Sequence, residues 1–336
     1  MTEFTVEDAA RGERSVEERM TEKRERMSRS PNNTLESLGL DAELLARRAS
    51  APACPAERVH PDVEAVVFRG ALSSEECARV VRSLDARDGW QSKCAKTSVR
   101  DAEGVPVPSE ELAALLRARL DLPHSLPAAW RERVVRKDDR HLGDIGTEGT
   151  WAAARVNDVI RASRYRAGGH FAPHRDGVIQ PREGERSFLT MLVYLTGDGG
   201  ARRFAGGETA FVRDDGDGLE YGAFDADADV LARVAPEAGA VLVFLQDQLH
   251  SGLPVRPAPD ADADGADGGR PLKYILVSEV LYERVALAED RWDPEAVALL
   301  REAEAHEGVG EFQDAIRCYN RLRRLHPVFA NHAGIP

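Results

Sequence analysis

The chain has 336 residues, 42% of them hydrophobic and 31% charged, a globular balance that excludes collagenous, coiled-coil and wholly disordered classes. A net charge of −13 and a pI near 5.3 argue against nucleic acid as the main partner, because phosphate binding needs a clustered cationic surface. No run approaches the roughly 18 apolar residues of a membrane helix, the N-terminus lacks a secretory apolar core, and Cys54, Cys77, Cys94 and Cys318 form no paired motif. The expectation is a cytoplasmic protein with reduced thiols, binding neither membrane nor nucleic acid.

Residues 1–35, rich in Glu, Arg and Ser, cannot bury enough apolar surface to offset ordering, and read as a disordered or loosely helical tail. Residues 36–150 read as a lead-in of helices and strands packed on a β domain. A short amphipathic helix is expected over Leu35–Ala49, stopped by Pro52 and Pro55, and a strand over Ala65–Arg69. The next helix begins at Ser73 or Ser74, with Glu75 and Glu76 in its first turn and Val80, Val81 and Leu84 buried. Leu112, Leu115, Leu116 and Leu120 at helical spacing predict another helix over Glu110–Leu120.

The texture changes over residues 151–285. Ala162–Tyr165, Ser187–Leu195, Glu208–Val212, Ala240–Phe244 and Lys273–Leu281 read as short strands between turn signals, the pattern of a sandwich or barrel. The acidic stretches Asp214–Asp229 and Pro257–Gly269 read as solvated loops. Asp260, Asp262, Asp264 and Gly265 imitate the start of a calcium loop, but Pro271 stands where its bidentate Glu belongs. Residues 286–336 predict a helical hairpin, Pro294–Ala305 and Glu311–Leu325, closed by Pro327. Gly310, Ala315, Tyr319 and Pro327 fall at tetratricopeptide positions, yet a single hairpin is no array, so docking on the β domain is expected. The fold class is mainly β with flanking helices.

The chemistry concentrates in Tyr165-Arg-Ala-Gly168-Gly-His-Phe171-Ala-Pro-His174-Arg-Asp176. Alternate residues of a strand share a side, so His174 and Asp176 converge. His250, past the apolar run Ala240–Phe244, is available as a third ligand. Two histidines and a carboxylate leave open positions on a metal and suit Fe(II) and dioxygen. Each residue alone also has an ordinary reading: His-x-Asp recurs by chance, and His250 would be a strand-end histidine.

The surroundings resemble a family, the iron(II)/2-oxoglutarate-dependent dioxygenases of the prolyl 4-hydroxylase-like branch. Its Tyr-x-x-Gly-x-x-Phe-x-x-His-x-Asp run is matched by Tyr165, Gly168, Phe171, His174 and Asp176. Its Leu-Thr-x-Leu-x-Tyr-Leu strand is matched by Leu189 to Leu195, and its Gly-Gly-Glu-Thr-x-Phe turn by Gly206 to Phe211. Pro236 and Gly239, His250 and Gly252, and Lys273 to Leu276 follow in the family's order. The resemblance implies a double-stranded β-helix, jelly-roll or cupin-like, with N-terminal helices and a C-terminal helical hairpin. It implies His174, Asp176 and His250 as metal and catalytic residues.

It further implies Fe(II) and 2-oxoglutarate as cofactor and co-substrate, with ascorbate as a candidate reductant. A cation must meet the far carboxylate of 2-oxoglutarate. Lys273 is placed there, one of only five lysines (Lys23, Lys93, Lys96, Lys137, Lys273) among 45 basic residues, with Ile275 and Val277 forming an apolar wall. The inserted Pro257–Gly269 stretch leaves Arg270 as a rival. Tyr165 and Tyr194 match co-substrate tyrosines, and Thr190 shares the Tyr194 face. Arg155, Asn157, Arg202 and Arg203 could reach substrate. The expected partners are dioxygen and a small-molecule or peptide substrate, hydroxylated with release of succinate and carbon dioxide. The competing reading is a non-catalytic β-helix that recruits a partner through its C-terminal helices.

Overall fold

The computed structural model describes residues 33–47, 53–135, 149–182, 184–198, 204–214, 229–257, 272–286, 293–333 and 335. The N-terminal tail up to Asn32, most of both acidic stretches with the calcium-like loop, and Arg202, Arg203 and Arg270 lie outside the described residues.

In chain order the elements are α1 (Ala42–Ala46), β1 (Ala56–His60), β2 (Val63–Phe68), α2 (Ser74–Asp85), β3 (Gln91–Ser92), β4 (Glu103–Pro106), α3 (Glu110–Leu120), α4 (Leu122–Ser125), α5 (Ala128–Arg131), β5 (Glu132–Val135) and β6 (Gly149–Val156). They continue as β7 (Arg161–Tyr165), β8 (Phe171–His174), β9 (Glu185–Tyr194), β10 (Phe204–Gly206), β11 (Thr209–Val212), β12 (Val230–Val234), β13 (Val241–Leu245), β14 (His250–Gly252), β15 (Val255–Pro257) and β16 (Lys273–Ala286). The helices α6 (Pro294–Gly308), α7 (Phe312–Leu325) and α8 (Pro327–His332) follow.

These elements fall into two compact units. The first comprises the described residues of Met1–Asp121, Val156–Gly177 and Leu189–Glu279. One of its sheets runs β1-β2-β13-β9-β16-β7-β4-β3, and another runs β12-β11-β14-β8. The core between them takes Tyr165, Leu192, Tyr194, Leu242, Phe244 and Ile275 from the first and Phe211 and Val234 from the second. This is the double-stranded β-helix that the family resemblance implies, and one form of the sandwich or barrel that the strand pattern predicts.

The lead-in helices are tied down by paired charges. Ser73 and Glu76 form a reciprocal capping box at the start of α2, satisfying two backbone donors that a helix start leaves open. The Glu76 carboxylate is fully buried and accepts from Arg119 of α3 at 2.6 and 3.0 Å. The Leu72 amide donates to the Gly239 carbonyl at 3.1 Å. Gly239 has φ +89°, and a Cβ there would lie 1.9 Å from the Leu72 carbonyl oxygen. Only glycine permits both that backbone and that approach.

The second unit comprises the described residues of Leu122–Arg155, Val178–Phe188 and Val280–Pro336. Within it, β5 pairs with β6, and Trp151, Phe188 and Tyr282 make edge-on ring contacts at 5.8 and 4.9 Å. The C-terminal helices carry a small core of Ala296, Leu299, Leu322, Phe329 and Ala330.

Three local expectations change. The single helix over Leu35–Ala49 is instead a 3₁₀ turn, Glu36–Leu38, followed by α1, because Asp41 accepts from the Leu44 amide and starts a new helix. Pro327 follows the end of α7 at Leu325 as expected but also opens a further helix, α8, since a first helical residue needs no amide hydrogen. Strand β6 was missed because Ala152, Ala153 and Ala154 dilute its β signal.

Candidate active site

Strands β8 and β14 are neighbours, with His174 directly opposite His250. Toward Phe171 and Gly252 three residue steps on β8 face two on β14, a bulge of the kind that re-aims side chains beside active sites. The Phe171 ring consequently stacks on His174 at 3.5 Å between centroids. Asp176 lies beyond the end of β8, so the strand alternation expected for it does not apply. Its amide donates to the Gln246 carbonyl at the end of β13 at 2.9 Å, and this bond turns the carboxylate toward the histidines.

The three side chains converge. His174 Nε2 lies 3.6 Å from Asp176 Oδ1, and His250 Nε2 lies 3.6 Å from Asp176 Oδ2. One ligand atom from each residue falls within 4.8 Å of the others. Each imidazole donates its Nδ1–H to a backbone carbonyl, His174 to Ala172 at 2.8 Å and His250 to Gln248 at 2.9 Å. That fixes the tautomer with the Nε2 lone pair facing the shared point, the outer arrangement of metal-binding histidines. The Thr190 hydroxyl donates to Asp176 Oδ2 at 2.6 Å.

The charge states agree with a cation. Burial alone would raise the Asp176 carboxyl, but His250, His174 and the Thr190 hydroxyl together hold it well below the usual carboxylate range. Burial pushes His250 down to about 4 against the pull of Asp176, so its imidazole is neutral near pH 7. An ionised carboxylate and a neutral imidazole, as at Asp176 and His250, are the forms that bind a divalent metal. Ligand atoms 3.6 Å apart can share one ion with bonds of about 2.1 Å. The residues fit iron.

In the same unit, Lys273 begins β16 directly opposite Tyr165 of β7 and is 3% exposed. Its Nζ donates to the Gly207 carbonyl at 2.6 Å and lies 5.2 Å from the Tyr165 ring and 5.7 Å from the Tyr194 ring. Gly207 has φ +70°, and a Cβ would press the Lys273 stem at 3.2 Å. Among the described residues no carboxylate pairs with this ammonium. Burial pushes it down to about 8, only partly opposed by Glu208. A buried cation held by one carbonyl is costly unless an anion meets it, which suits a bound carboxylate.

The remaining expected residues divide. Tyr194 is fully buried with its hydroxyl 2.8 Å from Thr209 Oγ1, and burial raises its phenol beyond the usual tyrosine range. Thr190, expected beside the co-substrate, uses its hydroxyl on Asp176 instead. Asn157 donates to Glu279 at 2.6 Å and Arg155 to Glu185 at 2.7 Å, so both are taken up in pairs. Arg100 was not expected: its guanidinium donates to the Tyr165 hydroxyl at 3.4 Å. Nothing in the sequence distinguishes it from the many other arginines.

Residues 160–260 match the sequence model of the 2OG-Fe(II) oxygenase superfamily, a span that contains the complete triad. The chain carries a 2OG-Fe(II) oxygenase domain. Iron and 2-oxoglutarate are therefore its cofactor and co-substrate. No curated protein matches the oxygenase. Among solved structures it is similar to the viral collagen prolyl hydroxylase of Paramecium Bursaria Chlorella virus-1, at 16% identity over 67% of this chain and 99% of that one, TM-score 0.36. A prolyl-4-hydroxylase from Pseudomonas putida aligns at 17% identity over 66% of this chain and 94% of that one, TM-score 0.38. HygX from Streptomyces hygroscopicus, solved with nickel and 2-oxoglutarate, aligns at 13% identity over 73% and 88% of the two chains, TM-score 0.36. No helix among the described residues is long and apolar enough to cross a membrane.

Proposed function

We propose that the oxygenase hydroxylates an unactivated C–H bond of a small molecule or peptide, releasing succinate and carbon dioxide. The observation that carries this reading is a pair of features in one unit: three converging ligands, and a buried ammonium that pairs with no carboxylate among the described residues. His174, Asp176 and His250 would hold iron, which supplies the oxidising chemistry when bound and leaves coordination positions open. Lys273 would take the far carboxylate of 2-oxoglutarate, fixing how deep the co-substrate sits. The Gln246 and Thr190 contacts hold Asp176 in place, and the two backbone carbonyls hold the imidazoles, so the ligand set is preorganised. Tyr194, Ile275 and Leu192 belong to the buried apolar core of the same unit. Asp176 fills the position that related halogenating enzymes leave small for halide, which favours hydroxylation over halogen transfer.

The substrate class stays broad, from prolyl residues to free amino acids and natural-product scaffolds, because the fold is shared by many chemistries. The test is Fe(II) binding and slow succinate release from 2-oxoglutarate without substrate. His174→Ala should abolish both while keeping the circular dichroism spectrum. A variant that releases succinate at the wild-type rate refutes the ligand assignment.

A further inference from the structure

A second cation stands at this site, and the reaction proposed above does not use it. Arg100 precedes β4 and runs beside β8. The Ala172 amide donates to the Val99 carbonyl at 2.8 Å and the Asp101 amide to that of His170 at 3.0 Å, which sets Arg100 opposite Phe171. Its guanidinium carbon lies 4.1 Å from the centre of the Phe171 ring, and that ring stacks on the metal ligand His174 at 3.5 Å. The backbone bonds and the ring hold the guanidinium rigidly next to the metal ligands.

Its hydrogen bonds are incomplete. Among the described residues its guanidinium donates to the Tyr165 hydroxyl at 3.4 Å, a long bond, and its Nε–H is buried with no acceptor. The neighbouring arginines are used differently. Arg161 pairs with Glu279, and Arg164 and Arg166 pair with Glu103. Among the described residues Arg100 meets no carboxylate. A guanidinium is a planar fork of five donors that matches a carboxylate bidentately, and buried N–H groups call for acceptors.

Lys273 and Arg100 engage one tyrosine at different places. Nζ of Lys273 lies 5.2 Å from the Tyr165 ring centre, whereas Arg100 reaches its hydroxyl. Lys273, the more buried of the two, is assigned to the co-substrate in the reading above, which leaves Arg100 for a second anion. We propose that Arg100 anchors a carboxylate of the primary substrate beside the iron ligands, making the oxygenase selective for a carboxylate-bearing substrate. This rests on the oxygenase reading above.

The experiment uses the full-length protein loaded without oxygen with Fe(II) and 2-oxoglutarate, and first follows the coloured chelate they form. Failure of wild type to form it would count against the oxygenase reading itself, and with it this one. Fluoroacetate is then titrated as the probe, and its fluorine relaxation by the paramagnetic metal is recorded. Wild type should show saturable relaxation, Arg100→Gln should weaken probe affinity by about tenfold or more, and Arg100→Lys should restore part of it. Fluoroacetamide should not bind. Free amino acids or peptides with a free C-terminal carboxylate should displace the probe, and their amides should not. The proposal is overturned if wild type shows no saturable relaxation, if Arg100→Gln binds the probe like wild type, or if the amide binds equally well. It is also overturned if Arg100→Gln loses 2-oxoglutarate affinity as a Lys273 variant does, since Arg100 would then serve the co-substrate.

Discussion

Replacing Lys273 by Met should move stability and co-substrate affinity in opposite directions. Methionine keeps most of the apolar stem and removes the charge. Burial brings the ammonium from 10.5 to about 8, and at about 1.4 kcal/mol per pKa unit this costs the folded protein about 3 kcal/mol at pH 7. The cost is complete below about pH 8 and fades as the pH rises toward 10.5. Removing the ammonium also leaves the Gly207 carbonyl without its donor, which returns a penalty of about 1–3 kcal/mol. The apoprotein should therefore be as stable as wild type or more stable by up to about 2 kcal/mol. Binding should suffer, because a buried carboxylate deprived of its cation loses about 3–5 kcal/mol, or about two to four decades of affinity. The assays are urea unfolding of the apoprotein at pH 7 and succinate release against 2-oxoglutarate concentration. A variant destabilised by more than about 2 kcal/mol with its KM raised less than about threefold would refute the assignment, and Lys273 would be a structural residue.

Three further outcomes follow from the same geometry. Bound 2-oxoglutarate favours the charged form of Lys273, whose free-protein value is about 8; apparent 2-oxoglutarate affinity should thus fall as pH rises above that value, and a flat profile in calorimetric titrations to pH 9.5 would contradict it, on the order of one decade being expected. Thr190→Val removes the 2.6 Å bond to Asp176 and should weaken Fe(II) binding about 10- to 100-fold in competition with a chelator, the usual effect of losing an outer contact to a metal ligand. Arg119→Ala removes the guanidinium that pairs with the fully buried Glu76 carboxylate and should cost about 3–5 kcal/mol in urea unfolding; a loss below about 1 kcal/mol would show that the Ser73 amide and solvent suffice to hold the charge there.

How far the molecule could be read beforehand depended on what each residue needed. The strand carrying Leu189 to Tyr194 is buried along its whole length, so its run of apolar residues, interrupted only by Thr190 from Phe188 onward, was visible without knowledge of any partner. Helix α3 begins at Glu110 and ends at Leu120, as its leucine spacing indicates. His174, Asp176, His250 and Lys273 could be named because each sits in a local run of recognisable residues. What stayed hidden depends on contacts between distant segments. The bond from Thr190 to Asp176 depends on how the segment after β8 is set against β9, and the approach of Arg100 to Tyr165 spans 65 positions. The carboxylate of Asp176 is aimed by Gln246, not by strand alternation, which short-range periodicity cannot foresee.

The pairing of His174 with His250 across two adjacent strands has a consequence for how the chain reaches its native form. Sliding either strand by one position would turn its side chains to the opposite face of the sheet, and one imidazole would leave the centre. Strand β14 has only three residues, His250–Gly252, too few for hydrogen bonds alone to discriminate strongly among alignments. An ion that requires both imidazoles at once binds a single alignment and rewards it by mass action. Iron would then act during assembly as a gauge of register, selecting the correctly threaded barrel before it takes part in any turnover.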